Sequence, residues 1–195
     1  MSDADRERWN ARYAAGEYTA RTHPSPLLAA WIDRLPRGRA LDVACGLGRN
    51  AIHLAAHGYA VDAMDISGIA LAGARERAEA SGVAVHWIET DLDRPDIARD
   101  VYDVVVVARF LYRPLIPRLV DALRPGGHLV YDHHYITPAD VAGPASRRFR
   151  ARPNELLERF RRLRVLFYEE GIVDDPDGRR MALARLVACK GSPGY

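Results

Sequence analysis

The stretch LDVACGLGRNAIHLAAHGYAVDAMDIS, Leu41 to Ser67, decides the fold. It opens on an apolar run, reaches Gly46 and Gly48, continues with helical periodicity and closes on a second apolar run ending at Asp65. Strand, loop, helix, strand is the natural reading. Glycine permits positive φ and close backbone approach, and the following helix turns unpaired amides towards the loop. In an open parallel sheet this place, beyond the C-terminal end of a strand, is where ligands bind. The spacing approaches the dinucleotide fingerprint, and Asp65 at the end of the second strand suits a ribose. Two features fit a dinucleotide badly. Ala51 stands where the third glycine belongs, and Asp42 puts a carboxylate where a pyrophosphate would be repelled. The same carboxylate suits a cationic amino-acid ligand. An NAD-dependent oxidoreductase stays open as an alternative, although the chain is short for one that must also hold a substrate.

Working outward, alternating helices and strands continue. A helix is predicted over residues 5–18, carrying Trp9 and Tyr13 on one face. Ser25 and Pro26 start another helix. Strands are expected at 40–44, 59–64, 83–88, 102–108 and 128–132, with helices between them. YDVVVVA at 102–108 is almost wholly apolar, as a central parallel strand should be. This pattern predicts an α/β fold with a mostly parallel sheet covered on both faces. The end differs: residues 162–169 and 181–189 are strand-like runs joined by a turn, which predicts a hairpin. The whole of 1–195 reads as a single domain, with 1–26 as an N-terminal cap segment and the irregular 133–153 as a candidate substrate rim.

Composition narrows the class. The chain has 195 residues, 48% of them apolar, and a net charge of +2. No run approaches the roughly 18 apolar residues of a membrane span, and the N-terminus has no signal core, so a cytoplasmic protein without a membrane partner is expected. Cys45 and Cys189 make no disulfide framework, and no cysteine–histidine spacing suggests a metal. Residues 147–164 hold eight arginines against two glutamates. A solvated face explains them, with RNA-directed activity as the narrower alternative.

Asp42-x-x-x-Gly46-x-Gly48 followed by Asp65 and Asp91 resembles class I S-adenosylmethionine-dependent methyltransferases. Leu41 to Asn50, the opening Trp9-Asn-x-Arg-Tyr13, His23-Pro-Ser-Pro26, Tyr102-Asp-Val-Val105 and Leu123-Arg-Pro-Gly-Gly127 are similar to the bacterial branch related to tellurite-resistance enzymes. The resemblance implies a Rossmann-like, seven-stranded, mostly parallel sheet whose last strand is antiparallel, and S-adenosyl-L-methionine as cofactor. It places Ala44, Gly46 and Gly48 against the methionine part, Asp42 towards its ammonium, Arg49 near its carboxylate or against a neighbouring loop, and Asp65 on the ribose hydroxyls. Ile66 lies against the adenine or makes an ordinary core contact, Asp91 bonds the adenine amino group or serves only as a turn residue, and Leu92 offers its backbone amide. Ala108 and Arg109 end the fourth strand on the reactive side. There Arg109 either binds an anionic substrate or makes a structural salt bridge.

Trp9, Tyr13 and Tyr18 are placed to close over the cofactor, where an aromatic face suits a sulfonium. His133, at the end of the fifth strand, is the candidate general base, a structural role being the alternative. A soft nucleophile such as a thiol or chalcogen species needs no base. The expected partner is a small-molecule methyl acceptor rather than a nucleic acid, and the expected state a monomer or weak homodimer. A non-catalytic cofactor-binding or regulatory protein is the second alternative.

Overall fold

A computed structural model describes residues 3–18 and 21–192. Residues 1, 2, 19 and 20 of the expected cap lie outside the described residues. A seven-stranded sheet runs in the order β3-β2-β1-β4-β5-β7-β6. The strands are β1 (Arg39–Val43), β2 (Ala60–Asp65), β3 (His86–Glu89), β4 (Tyr102–Ala108), β5 (Leu123–His134), β6 (Arg164–Asp174) and β7 (Arg180–Cys189). All pairings from β3 to β5 are parallel, while β7 is antiparallel to both neighbours. The strand order reverses between β1 and β4, which puts the ligand-binding crevice at their C-terminal ends.

The apolar run of β4 has a direct cause. Val105 and Val107 pack into one core with Leu119, Leu129 and Tyr131, and Val104 and Val106 pack into another with Leu28, Leu54 and Leu71. Successive side chains of a strand point to opposite faces, so a strand covered on both sides must be apolar throughout. Burying each valine contributes on the order of 1.5–3 kcal/mol.

The helices are α1 (Asp3–Ala14), α2 (Pro26–Trp31), α3 (Arg49–Ala56), α4 (Gly68–Ala80), α5 (Ile116–Ala122) and α6 (Glu155–Arg159). Several boundaries differ from expectation. Helix α1 stops four residues early, because Gly16 takes φ 74° and its amide closes a turn on Tyr13. Strand β3 is shorter than 83–88 predicts, since its pairing with β2 starts only at His86. Strand β5 begins at Leu123 through an irregular register, and Gly126 donates to the Lys190 carbonyl at 2.7 Å. Strand β6 continues past Glu169 to Asp174 because β7 pairs with it over that whole length. Among the described residues no helix is long and apolar enough to cross a membrane.

Candidate active site

The loop between β1 and α3 carries three left-handed residues in alternation: Ala44 (φ 55°), Gly46 (φ 54°) and Gly48 (φ 75°). Left-handed backbone is cheap for glycine and costs an alanine of order 1 kcal/mol or more, so surrounding bonds must hold Ala44 there. They do. Cys45 donates its amide to the Met64 carbonyl at 2.9 Å, and the Gly46 amide donates to Asp65 Oδ2 at 2.8 Å. The other oxygen of Asp65 accepts from the Ser67 amide at 2.9 Å. Asp65 is thus the brace that ties the end of β2 to the loop, and burial raises its pKa.

Asp42 lies at the sheet centre, 1% exposed. Its Oδ2 accepts from the Ala51 amide at 3.0 Å, fixing the first turn of α3. Its Oδ1 is buried without a hydrogen-bond partner. Burial pushes this carboxyl up to about 7, against the pull of Arg49. A buried, unsatisfied carboxylate oxygen costs about 1–3 kcal/mol or more, and an ammonium, directly or through water, is the partner that removes the cost. Arg49 itself is mostly buried and donates to the His23 carbonyl at 3.1 Å.

Helix α1 lies over this loop. The Ser67 hydroxyl donates to Asn10 Oδ1 at 2.6 Å, and Ser67 also caps α4 by accepting from the Ala70 amide. A Cβ at Gly46 would stand 2.5 Å from the Tyr13 hydroxyl, and one at Gly48 2.5 Å from the Trp87 ring. Trp9, Tyr13 and Tyr18 form one ring cluster, with centroids 5.1–6.2 Å apart. Arg12 already lies over Trp9 and Tyr18, at 5.1 and 5.2 Å. Through Tyr13 this cluster reaches the glycine loop, while Arg12 covers the faces of Trp9 and Tyr18.

At the C-terminal ends of β4 and β5 the geometry is that of a clamp. Arg109 has φ 61° and is almost fully buried. Its guanidinium donates to Asp132 at 2.6 Å and to Asp175 at 3.0 Å. Ser25 Oγ donates to the other oxygen of Asp132, while the Ser25 amide donates to Asn50 Oδ1 at 2.8 Å. Burial alone would raise the Asp132 pKa, but Arg109, the Ser25 hydroxyl and Arg49 together lower it. Of the two roles weighed for Arg109, the salt bridge is the one this geometry displays, because its guanidinium is committed to two carboxylates rather than open to an anionic substrate. His23, Asp175 and Asp177 also converge. Their carboxylates are engaged by Arg109, Arg21 and Arg179, so the cluster is an ion-pair knot.

His133 sits at the end of β5 with 2% exposure, and its Nε2 bonds the Phe149 carbonyl at 2.7 Å. That bond needs the proton on Nε2, leaving Nδ1 as a buried lone pair. Burial drives the pKa of His133 down to about 4, and that of His134 down to about 3. The expectation of His133 as a general base gives way to a structural one: the ring pins the 147–149 turn to the sheet. Ile66 and Leu92 are buried side chains, and Asp91 accepts from the Asp93 amide at 2.8 Å beyond β3. Ala108 is the last residue of β4, beside Arg109.

Sequence reasoning passed over Ser25, Asn50, Asp132 and Asp175 as working residues. Ser25-Pro26 reads as a helix start and Asp175 as a turn residue. Nothing in their spacing shows that the fold gathers them.

Residues 40–127 match the methyltransferase domain family. The chain is 28% identical over 165 residues to "Probable S-adenosyl-L-methionine-dependent methyltransferase TehB" of Haemophilus influenzae, which covers 78% of this chain and 57% of that protein. It is 30% identical over 126 residues to the ubiquinone biosynthesis O-methyltransferase of Pectobacterium carotovorum, covering 60% of this chain and 53% of the relative. The chain thus spans little more than half the length of these curated relatives. The crystal structure of TehB from Haemophilus influenzae superposes with a TM-score of 0.74 at 24% identity, covering 92% of this chain and 66% of the other. Residues 40–127 thus resemble a methyltransferase domain, and the fold is shared with TehB.

Proposed function

We propose that this chain is an S-adenosyl-L-methionine-dependent methyltransferase acting on a small soft nucleophile, a thiol or chalcogen species. The observation that carries the cofactor is the orphaned Oδ1 of Asp42, buried beside the left-handed loop. It is a site for a cation, in a place where a diphosphate would be repelled. The cofactor supplies an electrophilic methyl group on a positively charged sulfur. Asp42 holds the ammonium. Arg49, buried at the start of α3, faces the carboxylate of the same amino-acid end. Asp65 presents its remaining lone pairs to the ribose hydroxyls while keeping Gly46 in place. Trp9 and Tyr13 cover the site from α1.

The acceptor side supports a soft nucleophile. Asp132 is bound by Arg109 and Ser25, and His133 by Phe149. These titratable groups are committed to holding the strand ends, so an acceptor that is nucleophilic without losing a proton to the protein fits best. The chain's contribution is then alignment of acceptor and methyl group and exclusion of water. Purified protein incubated with the cofactor and separate panels of thiols, chalcogen oxyanions, halides, amines and phenols tests this through the S-adenosylhomocysteine formed. Turnover with thiols or chalcogen species is expected. Turnover confined to amines or phenols contradicts the acceptor class, and binding without turnover on any panel leaves a cofactor-binding protein.

A further inference from the structure

We propose that the outer edge of β6 pairs with β6 of a second copy of this chain, antiparallel about Glu169, to extend the sheet across a two-fold axis. The inference is independent of the reading of the active site. Strand β6 is the terminal strand of the sheet. Its ladder to β7 uses one edge, and among the described residues no backbone hydrogen bond from outside the hairpin reaches the other. Such an edge is a template for another strand unless it is short, covered or charged against pairing. This one is eleven residues long.

Its side chains are self-complementary when the strand is laid against a copy of itself. A two-fold axis makes every contact occur twice, residue i meeting j and j meeting i. With Glu169 on the axis, Phe167 faces Gly171 and Tyr168 faces Glu170. The Tyr168 hydroxyl is a donor that already bonds Glu170 within the strand, and across the axis the same two groups meet again. The paired Glu169 side chains would repel, but each is held by its own Arg185 at 2.6 Å.

Further out, Ile172 meets the bulged Val165–Leu166 pair of the mate. Val165 and Ile172 are two of the four large apolar residues that stand exposed among the described residues, at 38% and 41%. Beyond them the bulge brings Arg164 opposite the mate's Val173, and apolar cross-strand pairs stabilise a ladder.

Sedimentation of the full chain from about 1 to 500 μM, a range suited to a weak interface, is expected to show a monomer–dimer equilibrium. Ile172→Lys should weaken it about tenfold, since the two-fold axis sets a charge twice against the mate's exposed Val165. Geometry gives a second test. On the axis the two Cβ atoms of position 169 lie roughly 5 Å apart. Under oxidised glutathione, Glu169→Cys should therefore form an interchain disulfide, the two thiols giving two protons and two electrons to the oxidant. Glu170→Cys, facing Tyr168, should not. A chain that stays monomeric throughout, its edge left to water or to another protein's strand, overturns the proposal. So does a dimer indifferent to Ile172→Lys, or equal crosslinking at 169 and 170.

Discussion

The Asp65 carboxylate and the Gly46 amide meet at 2.8 Å, which joins the end of β2 to the centre of the glycine loop. The same side chain would receive the ribose, so structure and binding share one group. Replacing Asp65 with Ala removes two backbone bonds, to Gly46 and Ser67, and leaves both amides buried. A loss of about 2–4 kcal/mol of stability is expected, together with a fall in cofactor affinity of about 100-fold or more. Thermal melting and titration calorimetry check the two effects separately.

Gly46→Ala tests the approach of α1. The new methyl group would stand 2.5 Å from the Tyr13 hydroxyl, on a backbone of φ 54° that disfavours it. We expect a stability loss of about 1–2 kcal/mol from the backbone alone. Tyr13→Phe in the same chain should recover part of it by removing the hydroxyl. Urea unfolding of the single and double variants measures the coupling.

Removing Arg109 leaves Asp132 and Asp175 as buried charges without their partner. Arg109→Met should cost about 3–5 kcal/mol. Adding Asp132→Asn and Asp175→Asn should return much of that, because the remaining groups would then be neutral. Recovery of the melting temperature in the triple variant is the readout, and a single variant as stable as the parent would contradict the clamp.

The buried histidines predict a direction for acid sensitivity. His133 and His134 fold with pKa values of about 4 and about 3, below the ordinary 6.5 of an unfolded histidine. Their contribution is complete above pH 6.5 and is lost as pH falls towards 4, because the unfolded chain takes up protons that the folded chain refuses. Asp42 acts in the opposite sense. Its folded pKa of about 7 lies above the unfolded 3.8, so it adds stability as pH falls through that range. Each histidine that takes up its proton only on unfolding contributes a loss of about 1.4 kcal/mol per pH unit between roughly pH 6 and pH 4. Urea midpoints across that range, in the parent and in His134→Leu, give the slope, which the variant should flatten.

How much of this was legible in the sequence varies with distance along the chain. Asp42, Gly46 and Asp65 lie on one strand–loop–helix–strand unit, where spacing alone fixes neighbours. Strand β4 was legible to the residue because an apolar run covered on two faces has no other use. The Arg109 clamp was not. Its partners come from β5 and the β6–β7 turn, 23 and 66 residues away, and a single Asp carries no mark of what it will meet. Ala44 was equally silent: its left-handed backbone is imposed by the bonds around it and not by its own side chain. The role given to His133 needed a burial and a hydrogen bond that no local pattern encodes.

The most direct test of the central claim is a pH-resolved titration with S-adenosyl-L-methionine, alongside NAD, in the parent and in Asp42→Asn. The account predicts binding of the sulfonium nucleoside that strengthens as pH rises from about 6 to 7, where Asp42 ionises, with little affinity for NAD. Asp42→Asn should bind weakly and without that pH dependence. Equal affinity in parent and variant, or preferential binding of NAD, would contradict it.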